Sequence, residues 1–273
     1  MNGVAVGQNF HSNCREWRQY RKLSQLELAM EANVSQRHIS WLETGRSKPS
    51  REMVVRLSEA LDIPLRERNT LLQSAGFAAM YTERSLQEPD MAPVLDALNR
   101  VLTHHDPLPA IVVDRFWNVV MMNESGSLLF SMAGPCEQLK RDLGEEAANN
   151  LAAQTLHPDG FRQFIKNWDQ VAPAFVRRLK NEAAECGNAE YLAQVNKMLK
   201  CAGELPDGAS LDEHLLPVLP LELKSGDLQL SLFSVISTFG TAQDITADEL
   251  RVEAFYPGDS TTEKFFKEAL PAK

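Results

Sequence analysis

Cysteine is scarce in this chain: four residues in 273, Cys14, Cys136, Cys186 and Cys201, with no C-x-x-C pair and no paired metal-ligand spacing. That excludes a disulfide-stapled extracellular scaffold and a zinc finger or ribbon; free thiols in a reducing compartment are expected. Long apolar runs are missing too, and none approaches the roughly 18 to 20 residues of a membrane span. The opening MNGVAVGQNFHSNCREW has no basic stretch followed by an apolar one. No secretory leader is therefore expected, and the expected location is cytoplasmic. G-x-S-x-G, the P-loop and H-E-x-x-H are absent as well. His104 and His105 are adjacent and have no acidic or cysteine partner at ligand spacing. No catalytic residue, metal site or enzymatic activity is expected.

What is present is an uneven distribution of charge. The net charge is −9, which argues against a protein that coats nucleic acid along its whole length. Up to Arg51, however, eight Lys/Arg stand against four Glu, whereas from Ser85 onward 16 basic residues face 28 acidic ones. A small basic head on a large acidic body predicts two domains with different partners.

The head contains LSQLELAMEANVSQRHISWLETG, in which Ser-Gln occurs at 24–25 and again at 35–36. Ser24 and Ser35 both suit an N-cap, and Ser24 with Glu27 forms the S-x-x-E capping box. The first helix, Gln25–Ala32, offers Leu26, Ala29 and Met30 to a core. A short turn follows, in which Asn33 tolerates left-handed geometry. The second helix, Gln36–Thr44, buries Ile39 and Leu42 and stops at Gly45. Two short helices joined so tightly make a helix-turn-helix, whose second helix enters the DNA major groove with its N-terminal residues at base edges. Gln36, Arg37, Ser40 and Trp41 are the candidate base contacts, since Gln pairs with adenine and Arg with guanine. Gln25, at the start of the first helix, faces a phosphate and lies close enough to Gln36 to bond it. Arg46, Lys48 and Arg51 cluster before a further capped helix, Ser50–Leu61, and are the other candidate phosphate contacts.

The stretch SQLELAMEANVSQRHISWLETGRSKPS resembles the DNA-binding domain of Cro/C1-type regulators, the Xre family, with Asn33 where many relatives place Gly. The resemblance covers about Trp17 to Phe77. It implies an all-α, five-helix, lambda-repressor-like bundle whose last two helices are SREMVVRLSEALD and PLRERNTLLQSAG.

AAMYTERSLQEPDMAP reads as a linker, followed by a helix, Met91–His105, whose stripe Val94, Leu95, Leu98, Val101 and Leu102 would dock on the second domain or on its mate in a dimer. Ile111–Val113 and Val119–Met122 are two paired strands, and Asn123 caps a short helix. Helices are predicted over Gly144–Leu156, Asp159–Glu185 and Ala189–Cys201. Leu228, Leu230 and Leu232 alternate in a strand that slips phase at Leu232-Phe233, as at a bulge. Leu250, Val252 and Ala254 alternate in the last strand. This order predicts an α+β domain with an antiparallel sheet and helices on one side.

DPLPAIVVDRFWNVVMMNESGSLLF resembles the opening of the ligand-binding domain of MmyB-like transcription regulators. HPDGFRQFIKNW, RVEAFYPGDSTTEKFF and RERNTLLQSAGFA fit the same family. The resemblance implies a PAS-like fold, and a pocket for an apolar small molecule, with a fatty acid as the best-known class of ligand and no other cofactor. A bound lipid would modulate DNA binding. Phe161, Phe164, Trp168, Phe233, Ile236, Phe239 and Phe255 are candidate lining residues, though each also reads as plain core. Asn123, Arg162, Arg177 and Arg178 are candidates to meet a carboxylate, and Arg177-Arg178 also read as a solvated face. The expected organisation is 1–80 DNA-binding domain, 81–105 linker and connecting helix, and 106–273 ligand-binding domain. The expected protein is a homodimer that binds a double-stranded DNA operator and makes no membrane contact. The alternative is a body that serves as a ligand-independent dimerisation or protein-docking module.

Overall fold

A computed structural model describes residues 9–134, 136–186, 189–206 and 218–269, without the side chains of 185–189. They fall into two compact units. One takes in residues 9–84, 182–186 and 241–248; the other takes in 85–134, 136–181, 189–206, 218–240 and 249–269.

The first unit is built on α1 (Phe10–Tyr20), α2 (Gln25–Glu31), α3 (Gln36–Glu43), α4 (Arg51–Ala60) and α5 (Leu65–Ser74). Four of these helices begin because a side-chain oxygen satisfies an orphan amide: Asn9, Ser24, Ser35 and Ser50 each accept from the backbone N–H three residues on. The capping box at Ser24 and Glu27 is complete, and it holds the Glu27 carboxyl below its usual range. Phe10, Cys14, Trp17, Leu28, Ile39, Leu42, Val54, Leu57 and Leu71 form the shared core. On α2 the buried stripe is Leu28, Ala29 and Ala32, not Leu26, Ala29 and Met30. A seven-residue helix admits two stripes at the same spacing, and here Leu26 and Met30 lie on the exposed side.

The second unit opens with a 3-10 turn at Pro89–Met91 and α6 (Ala92–His105), then β1 (Ala110–Val113) and β2 (Val119–Met122). Next come α7 (Glu124–Ser131), α8 (Glu137–Leu143), α9 (Leu151–Leu156), α10 (Trp168–Cys186) and α11 (Ala189–Cys201). β3 (Leu221–Ser225) and β4 (Leu228–Thr238) form a hairpin, and α12 (Ile245–Glu249), β5 (Arg251–Pro257) and α13 (Ser260–Ala269) end the described chain. The five strands form one antiparallel sheet in the order β2-β1-β5-β4-β3.

Three expectations change. The helices do not lie on one side of the sheet. The α6 stripe, through Leu98 and Leu102, packs with Ala110, Val112 and Val252 on one face. The opposite face carries Ile111, paired with Glu253, and Phe255, paired with Ser234, and it meets α7, α9 and α10. Second, β4 has no bulge at Leu232-Phe233, because its pairing with β5 runs unbroken from Leu232 to Thr238. The register shift lies instead between Val112 and Val113. Third, the helix expected over 144–156 is a 3-10 turn and α9, and the one expected over 159–185 begins only at Trp168. There Ile165 bridges Leu223, and Asn167 bonds the backbone of Pro220 and Glu222, so strand β3 captures residues that helical periodicity had assigned to a helix.

Close packing of α7 on β1 has a local cause. A Cβ on Gly126 would lie 2.6 Å from the Ala110 carbonyl oxygen, so only glycine lets the helix approach. Cys14, Cys136 and Cys201 are free thiols; the Cys186 side chain lies outside the described residues. No helix among the described residues is long and apolar enough to cross a membrane.

Candidate functional site

Two places on the molecule combine exposed or enclosed chemistry with a built framework. The first is the α2–α3 corner. Asn33 adopts φ 51 and Gly45 φ 72, so the turn and the helix end both use left-handed backbone as their residue types allow. Ile39 and Leu42 are fully buried, which turns the opposite side of α3 outward. Gln36, Arg37 and Trp41 are exposed on it and Ser40 is half-buried. The Arg37 guanidinium stands 4.6 Å from the Trp41 ring centroid, a cation–π contact one helical turn apart. Arg46, Lys48 and Arg51 are exposed in the segment that leads from α3 into α4.

Behind this surface lies a residue that sequence reasoning missed. Glu43 is buried, and its carboxylate accepts from Arg18 Nε at 2.6 Å and Nη2 at 2.8 Å. It also accepts from Gln25 Nε2 at 2.9 Å. Arg18 further donates to the Leu23 carbonyl. One carboxylate thus ties α1, the start of α2 and the end of α3. The hydrogen bond from Gln25 goes to Glu43, not to Gln36 as expected, and it fixes which way the amide turns. The hydrogen bond to Glu43 raises the Arg18 guanidinium further above its ordinary value. Burial first, and the charge of Glu43 second, push the Cys14 thiol up to about 12. A signal was available: Glu43 continues the stripe of Ile39 and Leu42, where a charge needs a partner.

The second place is a cavity of about 250 Å3 within the second unit. Its floor is the inner sheet face, with Ile111, Leu221, Ser234, Glu253 and Phe255; Leu129, Phe130, Leu151, Phe161, Val171 and Phe175 close it from the helical side. Its polar lining is Gln154, Thr155, Ser234, Arg178 and Glu253. Trp117 forms another wall. It is fully buried and held at φ 69, a strained conformation for a bulky side chain. Asp114 organises that turn, accepting from the amides of Phe116 and Asn118 and from the Asn118 side chain. Phe175 meets the Trp117 ring edge-on at 5.3 Å, and the Arg178 guanidinium lies 4.7 Å from its centroid. Arg178 and Glu253 each have further partners.

Of the seven candidate lining residues, Phe161, Phe233 and Phe255 reach the cavity. Asn123 instead caps α7, accepting from the Ala110 and Gly126 amides and donating to Asp106 and the Leu108 carbonyl. Arg162 donates to the Ala202 carbonyl and stacks on Trp168, and neither residue lines the cavity. Phe164 packs against Phe161 from outside, and Phe239 packs with the α6 cluster on the other side of the sheet. Ile236 pairs with Glu253 yet does not line the cavity. Arg178, read also as solvated, does line it.

Family comparison agrees with this division. The model described as MmyB-like transcription regulator ligand binding domain matches residues 94–269. The chain belongs to the MmyB-like transcription regulators. A helix-turn-helix model matches residues 15–68 of the same regulator. No curated protein matches the chain. In this regulator the exposed face of α3 is therefore part of a DNA-binding head, and the cavity lies in the ligand-binding domain.

Proposed function

We propose that this regulator binds operator DNA as a homodimer and that its cavity holds a single-chain lipid, a fatty acid or a close relative, whose presence alters DNA binding. The observation that carries the reading is a partly open, mainly apolar cavity with a guanidinium, that of Arg178, in its wall. A volume of about 250 Å3, beside the roughly 300 Å3 lower bound for small-molecule pockets, suits one acyl chain and not two. Arginine presents N–H donors in a fork that matches a carboxylate, so Arg178 would donate to the head group of a fatty acid. The strand order 2-1-5-4-3 supports the PAS-like reading of the domain. Two symmetric heads would read half-sites about one helical turn apart. A ligand shifts that binding only by preferring one arrangement of the protein over another.

On DNA, Gln36, Arg37, Ser40 and Trp41 would read base edges, with Gln25, Arg46, Lys48 and Arg51 on phosphates. Arg37→Ala is expected to lose about 1 to 3 kcal/mol on the preferred operator and to relax preference at one base pair. Lys48→Ala should weaken all sequences alike and flatten the salt dependence. Competition binding on an operator and its single-base variants measures both. A change of base preference in Lys48→Ala would overturn the phosphate assignment.

The test of lipid sensing is native mass spectrometry of the purified protein, repeated after denaturation to identify what is released, followed by operator titrations with and without that molecule. Arg178→Ala should weaken a fatty acid by about 30-fold or more, the scale of a severed buried charge contact. Bare protein that also ignores added fatty acids of several lengths would return the body to a ligand-independent dimerisation module.

A further inference from the structure

The helix α5 lacks a cap of its own. Its N-cap position is Pro64, whose side chain makes no capping hydrogen bond. The carboxylate of Asp248 supplies what is missing: Leu65 N–H donates to Asp248 Oδ2 at 3.2 Å, across 183 residues of sequence. A carboxylate there also meets the positive end of the helix dipole. Asp248 does not act alone. The buried Asp244 accepts from Thr82 Oγ1 at 2.9 Å, from Arg84 Nη1 at 3.1 Å and from the Thr246 amide at 2.9 Å. Ile245 N–H donates to the Thr82 carbonyl at 2.8 Å, and Thr246 Oγ1 to the Arg84 carbonyl at 2.7 Å. The segment around Tyr81 is itself fastened to α5, because Asn69 bonds both the carbonyl and the amide of Tyr81. Residues Thr241–Asp248 are thus part of the DNA-binding unit.

In sequence this strap lies between β4 and β5, the strands that contribute Ser234, Glu253 and Phe255 to the cavity. We propose that Asp248 and Asp244 are positioning residues of the DNA-binding head, and that the strap they anchor carries the state of the cavity to α5. The second half of this statement rests on the lipid-sensing reading above. The first does not. Any displacement of β4 against β5 that a ligand imposes has a covalent route to both ends of the strap. The strap in turn holds the N-terminus of a helix whose Leu71 and Leu72 belong to the core of the head.

Full-length protein tests this with Asp248→Ala and the conservative Asp248→Asn, since Asn also caps helices well. Amide exchange at Leu65 to Arg68 reads the cap without any ligand. Asp248→Ala should accelerate it about fivefold while the melting curve stays cooperative, and Asp248→Asn should stay within twofold of wild type. The coupling is read on an operator selected with wild-type protein, as the ratio of DNA affinities with and without saturating hexadecanoate. Asp248→Ala should bring that ratio close to one while hexadecanoate affinity stays within twofold, and Asp248→Asn should keep most of it. Unchanged exchange in Asp248→Ala overturns the positioning role, and a full lipid response overturns the coupling. A wild-type protein indifferent to hexadecanoate and to shorter fatty acids removes the lipid reading and the coupling together. The exchange result then still decides whether Asp248 positions α5.

Discussion

Glu43→Ala is expected to cost the DNA-binding head about 3 to 5 kcal/mol, the penalty for leaving a buried charge without its partner. The side chains of Arg18 and Glu43 are only 11% and 2% exposed, so water cannot replace the lost carboxylate. Urea unfolding measures the loss. Alkylation of Cys14 gives an independent readout, because a buried thiol pushed up to about 12 stays unreactive until the head opens. The companion experiment separates stability from function. Arg18→Met with Glu43→Leu fills the same space with apolar atoms and should recover most of the stability. Yet Gln25 would still lack its acceptor, so operator affinity should remain below wild type. A Glu43→Ala protein as stable as wild type would mean that the pair contributes little and that Gln25 is positioned by something else.

Trp117→Ala should destabilise the ligand-binding domain by a similar amount, about 3 to 5 kcal/mol, as large buried aromatics do when truncated. Here the backbone adds a second expectation. Because Trp117 sits at φ 69, alanine inherits the left-handed strain, whereas glycine relieves it by roughly 1 to 2 kcal/mol. Trp117→Gly should therefore melt no lower than Trp117→Ala, the reverse of the usual order for these residues. Thermal unfolding of the two variants decides this. Both should also weaken a bound fatty acid, since Arg178 rests on the indole face. If Trp117→Gly is clearly the less stable, the turn built around Asp114 carries the strain without cost.

Much of the head could be read from its residues alone. Caps at Ser24, Ser35 and Ser50, left-handed Asn33 and terminal Gly45 are local features, and local features survive folding unchanged. What escaped was non-local. Nothing near Glu43 in sequence announces Arg18, and nothing near Pro64 announces Asp248. The ligand-binding domain was legible to the level of β1, β2, β4 and β5, most of its helices and α6, whereas β3 at Leu221–Ser225 was missed. Its cavity was not, because alternation along β5 marks Glu253 as outward when both faces of the sheet are covered. For the same reason Phe161, Phe233 and Phe255 could not be told from Phe164, Ile236 and Phe239: aromatic and aliphatic positions of one periodicity divide between cavity and core only once the layers are stacked.

The strap at Thr241–Asp248 has a consequence for how the protein is made. Synthesis releases the N-terminal segment first, at about 5 to 20 residues per second. The five helices of the head leave the ribosome before Arg84, but the carboxylate that caps the fifth lies 164 residues later (248 − 84). At those rates the nascent head waits roughly 8 to 33 seconds for its last part. A chain that terminates early, anywhere before Asp248, would carry a reading surface on an unfinished support. Incomplete translation products of this regulator should then compete poorly for operators with the finished protein.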